Sequence, residues 1–164
     1  MATTTATTAA ASYPASGHGF AGSKKTARGS VTITAGPTAA DVYEMLRLPK
    51  GAIVTGGRFF GKSLEVSTSG AALDIDVGTA ADTDRFGNFG VLSPAAVAGV
   101  KPEVGYNYPL GGTLLSEGFQ TMTAETVVQL TVVASVTLFT TGGGALNLEV
   151  DYVMPCGFST AIAS

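Results

Sequence analysis

From Val128 to Met154 the chain alternates apolar and polar side chains on either side of a glycine-rich break. Val128, Leu130, Val132, Ala134, Val136 and Leu138 are interleaved with Gln129, Thr131, Val133, Ser135, Thr137 and Phe139. After Thr140-Thr141-Gly142-Gly143-Gly144, residues Leu146, Leu148, Val150, Tyr152 and Met154 alternate with Asn147, Glu149, Asp151 and Val153. Period two places successive side chains on opposite sides of a strand, so each run has one face suited to burial. Two such runs about a glycine turn predict a long antiparallel hairpin. Leu130, Val132, Val136, Leu138, Leu146, Leu148, Val150 and Tyr152 are expected to share one inward face. Val133, Phe139 and Val153 then form an apolar set on the outer one.

The remainder of the chain reads the same way. Val31–Thr34 alternates as a strand and Gly36-Pro37 breaks it. Asp41–Leu48 fits a strand or a short helix, with Ala39-Ala40 and Glu44-Met45-Leu46 favouring helix locally. Pro49-Lys50-Gly51 is a turn signal, and Ala52–Phe60 is a strand with Gly56-Gly57 marking a bulge or a close backbone approach. Ser63–Val66 continues or follows it. Leu73, Ile75 and Val77 alternate with Asp74 and Asp76 as a short, half-exposed strand. Residues 78–90 and 102–112 are loops, Val91–Val100 is ambiguous, and Thr113–Leu115 is a further short strand. Roughly eight strand candidates with turns between them fit a sandwich or barrel, and without strand–helix alternation a parallel α/β sheet is not expected. The expected class is all-β: an antiparallel β-sandwich over residues 30–155, an N-terminal arm over residues 1–29 and a short tail over 156–164.

Composition narrows the function. Charged residues make up 13% of the 164-residue chain and its net charge is −3. A surface rich in Thr, Ser, Ala and Gly suits a protein partly covered by neighbours, although Thr-rich strands on a monomer would look similar. Lys and Arg are scattered apart from Lys24, Lys25 and Arg28, so no broad basic face for nucleic acid is expected. No apolar run approaches the ~18 residues that a membrane helix needs. The start of the chain lacks the basic and apolar regions of a secretory signal.

After Met1, every residue to Ala11 is Ala or Thr, and Ser12–Gly19 continues without periodicity. Such a segment has no face to bury against its ordering entropy. It reads either as a flexible tail or as an arm that orders on a partner, with Tyr13 and Phe20 as anchors and Lys24, Lys25 and Arg28 as a steering group.

Candidates for chemistry are few. The chain has one His, one Cys and no Trp. A nucleophile needs an adjacent base, and His18 lies in the arm while Cys156 follows the last strand. Asp74, Asp76, Asp82 and Asp84 form the one acidic cluster. Asp74 and Asp76 share a strand face at about 7 Å, a spacing that glycoside hydrolysis tolerates, but no Trp platform accompanies them. Asp82-Thr83-Asp84-Arg85-Phe86-Gly87 has some oxygen ligands of a calcium loop but lacks the rest of the EF-hand pattern. The glycine pairs are not followed by the Lys-Ser/Thr of a phosphate loop. No catalytic residue, metal or cofactor is therefore assigned. Phe86, Phe89, Tyr106 and Tyr108 lie in the two longest loops, where they either cap the open ends of a sandwich or anchor a partner.

Three features together resemble the decoration (cement) proteins of tailed-bacteriophage capsids. They are the Ala/Thr-rich arm, the run Arg47-Leu48-Pro49-Lys50-Gly51-Ala52 followed by Leu73-Asp74-Ile75-Asp76-Val77-Gly78-Thr79-Ala80-Ala81-Asp82, and the closing Leu146-Asn147-Leu148-Glu149-Val150-Asp151-Tyr152. The resemblance spans roughly Asp41 to Tyr152 and its motifs are architectural. It implies a jelly-roll-like sandwich and assembly as a homotrimer. It also implies binding to the major capsid protein across capsomer junctions on the outer virion surface, after synthesis in the host cytoplasm, with no catalytic residues. Two other readings remain. One is a different virion part, such as a head-fibre base or tail component. The other is a carbohydrate-binding β-sandwich module, for which Tyr106 and Tyr108 are the candidate residues.

Overall fold

The computed structural model describes residues 3–5, 23–62, 73–89, 105–112, 117–135 and 144–155. Every regular element among them is a strand: β1 (Thr3–Thr5), β2 (Lys24–Ile33), β3 (Val42–Leu48), β4 (Ile53–Lys62), β5 (Asp74–Gly78), β6 (Gly87–Phe89), β7 (Gly105–Pro109), β8 (Gln120–Thr121), β9 (Thr126–Ala134) and β10 (Gly144–Val153). The first sheet runs β1-β3-β9-β5-β6 and the second β2-β10-β4-β7, with β8 beside β4. The pairing of β1 with β3 is parallel and the others are antiparallel. The expected all-β sandwich is present.

The expected hairpin is not. β9 sits in the first sheet between β3 and β5, whereas β10 sits in the second between β2 and β4. Alternation reports that one face of a strand is buried and says nothing about which strand lies beside it. Here the two buried faces meet across the core: Val128, Leu130 and Val132 on one side, Leu146, Leu148, Val150 and Tyr152 on the other. Val136, Leu138 and Phe139 lie outside the described residues, as do the strand candidates at 63–66 and 113–115, the ambiguous 91–100 and the tail from Cys156.

β2 begins at Lys24, six residues before the expected start at Ser30. Ala27, Gly29, Val31 and Ile33 are buried, while Lys24, Thr26, Arg28, Ser30 and Thr32 are exposed. The first inward residues of this strand are small, so they carry almost no apolar signal. At Gly29 the small residue is required because β3 closes against it: a Cβ there would collide with the Met45 carbonyl oxygen.

β3 is a strand and not a helix. Glu44 and Leu46 pair with the consecutive residues Gln129 and Val128, so Met45 is an extra, bulged residue. That bulge places Met45 and Leu46 both at 0% exposure, which breaks strict alternation and made the segment ambiguous. The strand is entered through a tight turn in which the Thr38 N–H and hydroxyl both donate to Asp41 Oδ2 at 2.9 Å. In that turn Ala40 takes φ 68° and donates its N–H to the Val132 carbonyl at 2.8 Å. A second bulge lies in β4. Asp151 pairs with Gly56 and Tyr152 with Val54, leaving Thr55 extra beside the Gly56-Gly57 pair that the sequence marked. Gly57 has φ 149°, and a Cβ there would meet the Glu149 carbonyl oxygen.

Candidate interaction surfaces

The two outer faces of the sandwich differ in kind. On the second sheet, register places Glu149 of β10 between Arg28 of β2 and Arg58 of β4. Arg28 Nε lies 2.9 Å from Glu149 Oε1 and Arg58 Nε 2.5 Å from Oε2. One step along, Lys24 Nζ is 3.0 Å from Asp151 Oδ2, and the Thr26 hydroxyl donates to Asp151 Oδ1. The Arg58 hydrogen bond, helped by the charge of Arg28, holds the Glu149 carboxyl below its ordinary range despite burial. Burial alone would raise Asp151, but Thr26 and Lys24 together hold it down. The Arg58 guanidinium also lies 4.7 Å from the Phe60 ring centroid, covering that ring. Lys24 and Arg28, expected to steer a flexible arm, are thus committed to cross-strand ion pairs within the sheet, and Lys25 stands opposite Tyr152 in the same ladder.

The first sheet presents a plainer face. The residues of its central strand β9 that point away from the core, namely Val127, Gln129, Thr131 and Val133, carry no charge; Gln129 is covered, and Val133 is 47% exposed. Two open hollows flank them. One, of about 310 Å³, is lined by Thr3, Val42, Glu44, Gln129 and Thr131 with residues of the 80–83 loop. The other, of about 410 Å³, lies between the 79–85 loop and Thr121–Val127. Arg47 bridges to Glu125 at 3.0 Å beside the second.

The acidic cluster is structural in its bonding. Asp76, only 8% exposed, accepts hydrogen bonds from the Thr83 hydroxyl at 3.1 Å and from Asn88 Nδ2 at 2.7 Å. The strand expected to be half-exposed is therefore largely covered, because the 79–89 loop folds over Asp76. Asp74 is raised above its ordinary range, first by burial and then by the charge of Asp76. Asp82 is raised by burial, then by its hydrogen bond and charge interaction with Asp84. The turn here is closed by the Thr79 N–H donating to the Asp82 carbonyl at 2.8 Å. Among the described residues, no group of three or more His, Cys, Asp or Glu side chains converges to hold a metal. No helix among them is long and apolar enough to cross a membrane.

The loop aromatics separate into different environments. Phe86 is fully buried in the core, which corrects its reading as a partner residue: its N–H donates to the Val77 carbonyl at 2.8 Å, tying it to β5. Phe89 is partly buried and bridges Phe59 at 5.5 Å and Tyr108 at 5.6 Å between ring centroids. Tyr108 ends this chain of rings at 37% exposure. The backbone of Tyr106 pairs with Gly61; its side chain, like Tyr13, Phe20 and His18, lies outside the described residues. Sequence reasoning missed Phe119, which is 70% exposed. A lone aromatic in a Gly-rich stretch gives no periodic signal.

Solved phage capsids contain chains similar to this one. A chain in the capsid asymmetric unit of cyanophage Pam1 is 29% identical, with a TM-score of 0.63 over 88% of this chain and 94% of that one. A chain of the Ralstonia phage GP4 capsid is 18% identical, with a TM-score of 0.69 over 93% and 98%. One from the acidic stable capsid of Helicobacter pylori bacteriophage KHP30 is 18% identical, with a TM-score of 0.54 over 80% and 88%. The last two show likeness of fold alone. No family model and no curated protein matches the sequence.

Proposed function

We propose that this chain is a non-enzymatic virion structural protein that decorates the outside of a phage capsid as a homotrimer. It binds the major capsid protein and stabilises capsomer junctions. The observation that carries this reading is the match, over 88% of this chain and 94% of the other, to a chain of the cyanophage Pam1 capsid at 29% identity. Likeness over nearly the full length of both chains fits one whole component of a shell.

The strand order supports a jelly-roll connectivity. Leaving aside β1 and β8, the sheets are β3-β9-β5-β6 and β2-β10-β4-β7, so strands early and late in the chain interleave in both. The surfaces fit the role as well. An interface core is depleted in charge and holds aromatic or apolar anchors, which describes the β9 face with Val133, while Tyr108 and Phe119 supply exposed rings elsewhere. The charged face of the second sheet is internally paired and suits solvent. Protein made in the host cytoplasm would add to the shell during or after assembly.

The test adds purified protein to shells that lack it. Co-sedimentation, density at capsomer junctions and a higher shell melting temperature are the expected results. Failure to bind shells, with a positive glycan array, would overturn this reading in favour of a sugar-binding module.

A further inference from the structure

We propose that the edge of β3 at Val42–Glu44, where β1 pairs, is a strand-acceptor site, filled by residues Thr3–Thr5 of a second copy of this chain. The copies of an oligomer are then tied together by exchanged N-terminal strands. This rests on the oligomeric part of the proposed function and adds which residues join the copies.

The edge of β3 is divided at its bulge. From Met45 onward it meets β2, whose Gly29 lies against the Met45 backbone. Upstream of Met45, β1 takes up the remaining three residues of that edge: Thr3 pairs with Val42, Thr4 with Tyr43 and Thr5 with Glu44, in parallel. Thr3 and Thr4 are exposed, so β1 is held by main-chain pairing and not by buried side chains. The sequence Thr3-Thr4-Thr5-Ala6-Thr7-Thr8 has no large side chain to fix it to one site. Such an edge recognises an extended β-branched segment through its backbone, the mode of β-strand addition.

The same three pairs form whether the strand comes from its own chain or from a neighbour. Residues 6–23 separate β1 from β2. Fully extended, a stretch of that length reaches on the order of 60 Å, against roughly 35–40 Å for the diameter of a domain this size. A neighbouring edge is therefore within reach. Within one chain, the same three pairs close the connection over residues 6–23. In an oligomer the donor is already held nearby by other contacts, and each exchanged strand adds to them at little further cost. Donor and acceptor are different surfaces, so passing the strand to the next copy around a three-fold axis makes a closed head-to-tail ring. Thr3 and Val42 also line the hollow beside the uncharged outward residues of β9, so the exchanged strand borders the face proposed as an interface.

The experiment is a disulfide cross-link in a Cys156→Ser background, which removes the one native thiol. Thr3→Cys and Val42→Cys are made singly, on differently tagged chains co-expressed in one cell, and together in one chain. All are oxidised with copper phenanthroline and read on non-reducing gels. The exchanged arrangement gives a covalent dimer carrying both tags from the co-expressed single variants, and ladders up to the ring size from the double variant. A double variant that cross-links only within its own monomer, or no cross-link in any sample, overturns the exchange. Light scattering and shell co-sedimentation on the reduced proteins separate the two readings. An oligomer that binds shells without inter-chain cross-links overturns only the strand exchange. A monomer overturns the homotrimer itself.

Discussion

Gly29 of β2 packs directly on the backbone of Met45 in β3, and a Cβ on it would lie 2.8 Å from the Met45 carbonyl carbon and closer still to the oxygen. β2 and β3 belong to different sheets, so this contact closes one side of the sandwich. It also explains two local oddities together: the glycine at an inward position of β2, and the bulge that turns Met45 out of the β3 ladder.

Gly29→Ala should therefore destabilise the domain, because the obstacle is backbone and not a flexible side chain. Overpacking of this kind costs about 1–3 kcal/mol. Urea unfolding should show a midpoint lowered accordingly with an unchanged slope; a midpoint equal to that of the parent would mean that the two sheets are further apart at this edge.

Leu148 is fully buried at the middle of β10, between β2 and β4. Leu148→Ala removes its transfer energy and leaves a cavity, a loss of roughly 2–5 kcal/mol. Denaturant titration measures it, and a loss under about 0.5 kcal/mol would contradict the inward orientation of this strand.

The same contrast shows what the sequence could and could not reveal. The inward residues of β9 and β10 were legible because large apolar side chains at period two have few alternatives to burial. Their partners were not: the pattern is identical whether two strands lie side by side or face each other across a core. β2 was hidden as far as Ser30 because Ala27 and Gly29 bury without looking apolar, and β3 because the Met45 bulge sets two successive residues inward. Loop aromatics were legible as a group but not individually. Phe86 looked like Phe89 in the sequence, and both are tied to β5 through the backbone, yet only Phe86 is fully buried. The ion-paired face was invisible, since Glu149 meets Arg28 and Arg58 only once register is known.

Ala40 is the one described non-glycine residue with positive φ, at 68°. An L-residue there carries a backbone cost that glycine avoids. Its N–H is bonded to the Val132 carbonyl, so the turn itself is retained on substitution. Ala40→Gly should raise stability by about 0.5–1 kcal/mol, net of the greater freedom of glycine in the unfolded chain. A lower melting temperature would show that the turn relaxes away from this conformation.

Two sets of carboxylates should give opposite pH dependence. Glu149 and Asp151 sit below their ordinary range when folded. Their stabilisation is present above the unfolded-state value and is lost as pH falls through the folded one. Asp74 is shifted upward, so its favourable contribution exists only in acid and disappears as pH rises through its folded value. Glu149→Gln should thus be less stable than the parent at pH 7, with the gap closing in acid. Asp74→Asn should be more stable at pH 7, with its gap also closing in acid. Parallel unfolding curves at the two pH values would refute both assignments.

The start of β2 at Lys24 sets where an N-terminal deletion can be made without harm. Removing residues 1–22 takes away β1, whose pairing is three residues long and whose Thr3 and Thr4 are exposed, so little buried area is lost. The melting temperature should change by no more than a few degrees. Removing residues 1–28 cuts away half of β2 as well, with Ala27, which is fully buried, and the Lys24–Asp151 and Arg28–Glu149 ion pairs. Asp151 would lose Lys24 and Thr26 and Glu149 would keep only Arg58, and the β10 edge would open over the residues that face 24–28. That protein should unfold at a clearly lower temperature or fail to accumulate. If the arm works in assembly, the shorter deletion should still weaken binding to shells by tenfold or more, about 1.4 kcal/mol. Sedimentation with shells, alongside thermal unfolding of both deletions, separates the two roles. A shorter deletion that melts normally and binds shells as tightly as the parent would leave the first 22 residues without a part in either folding or assembly.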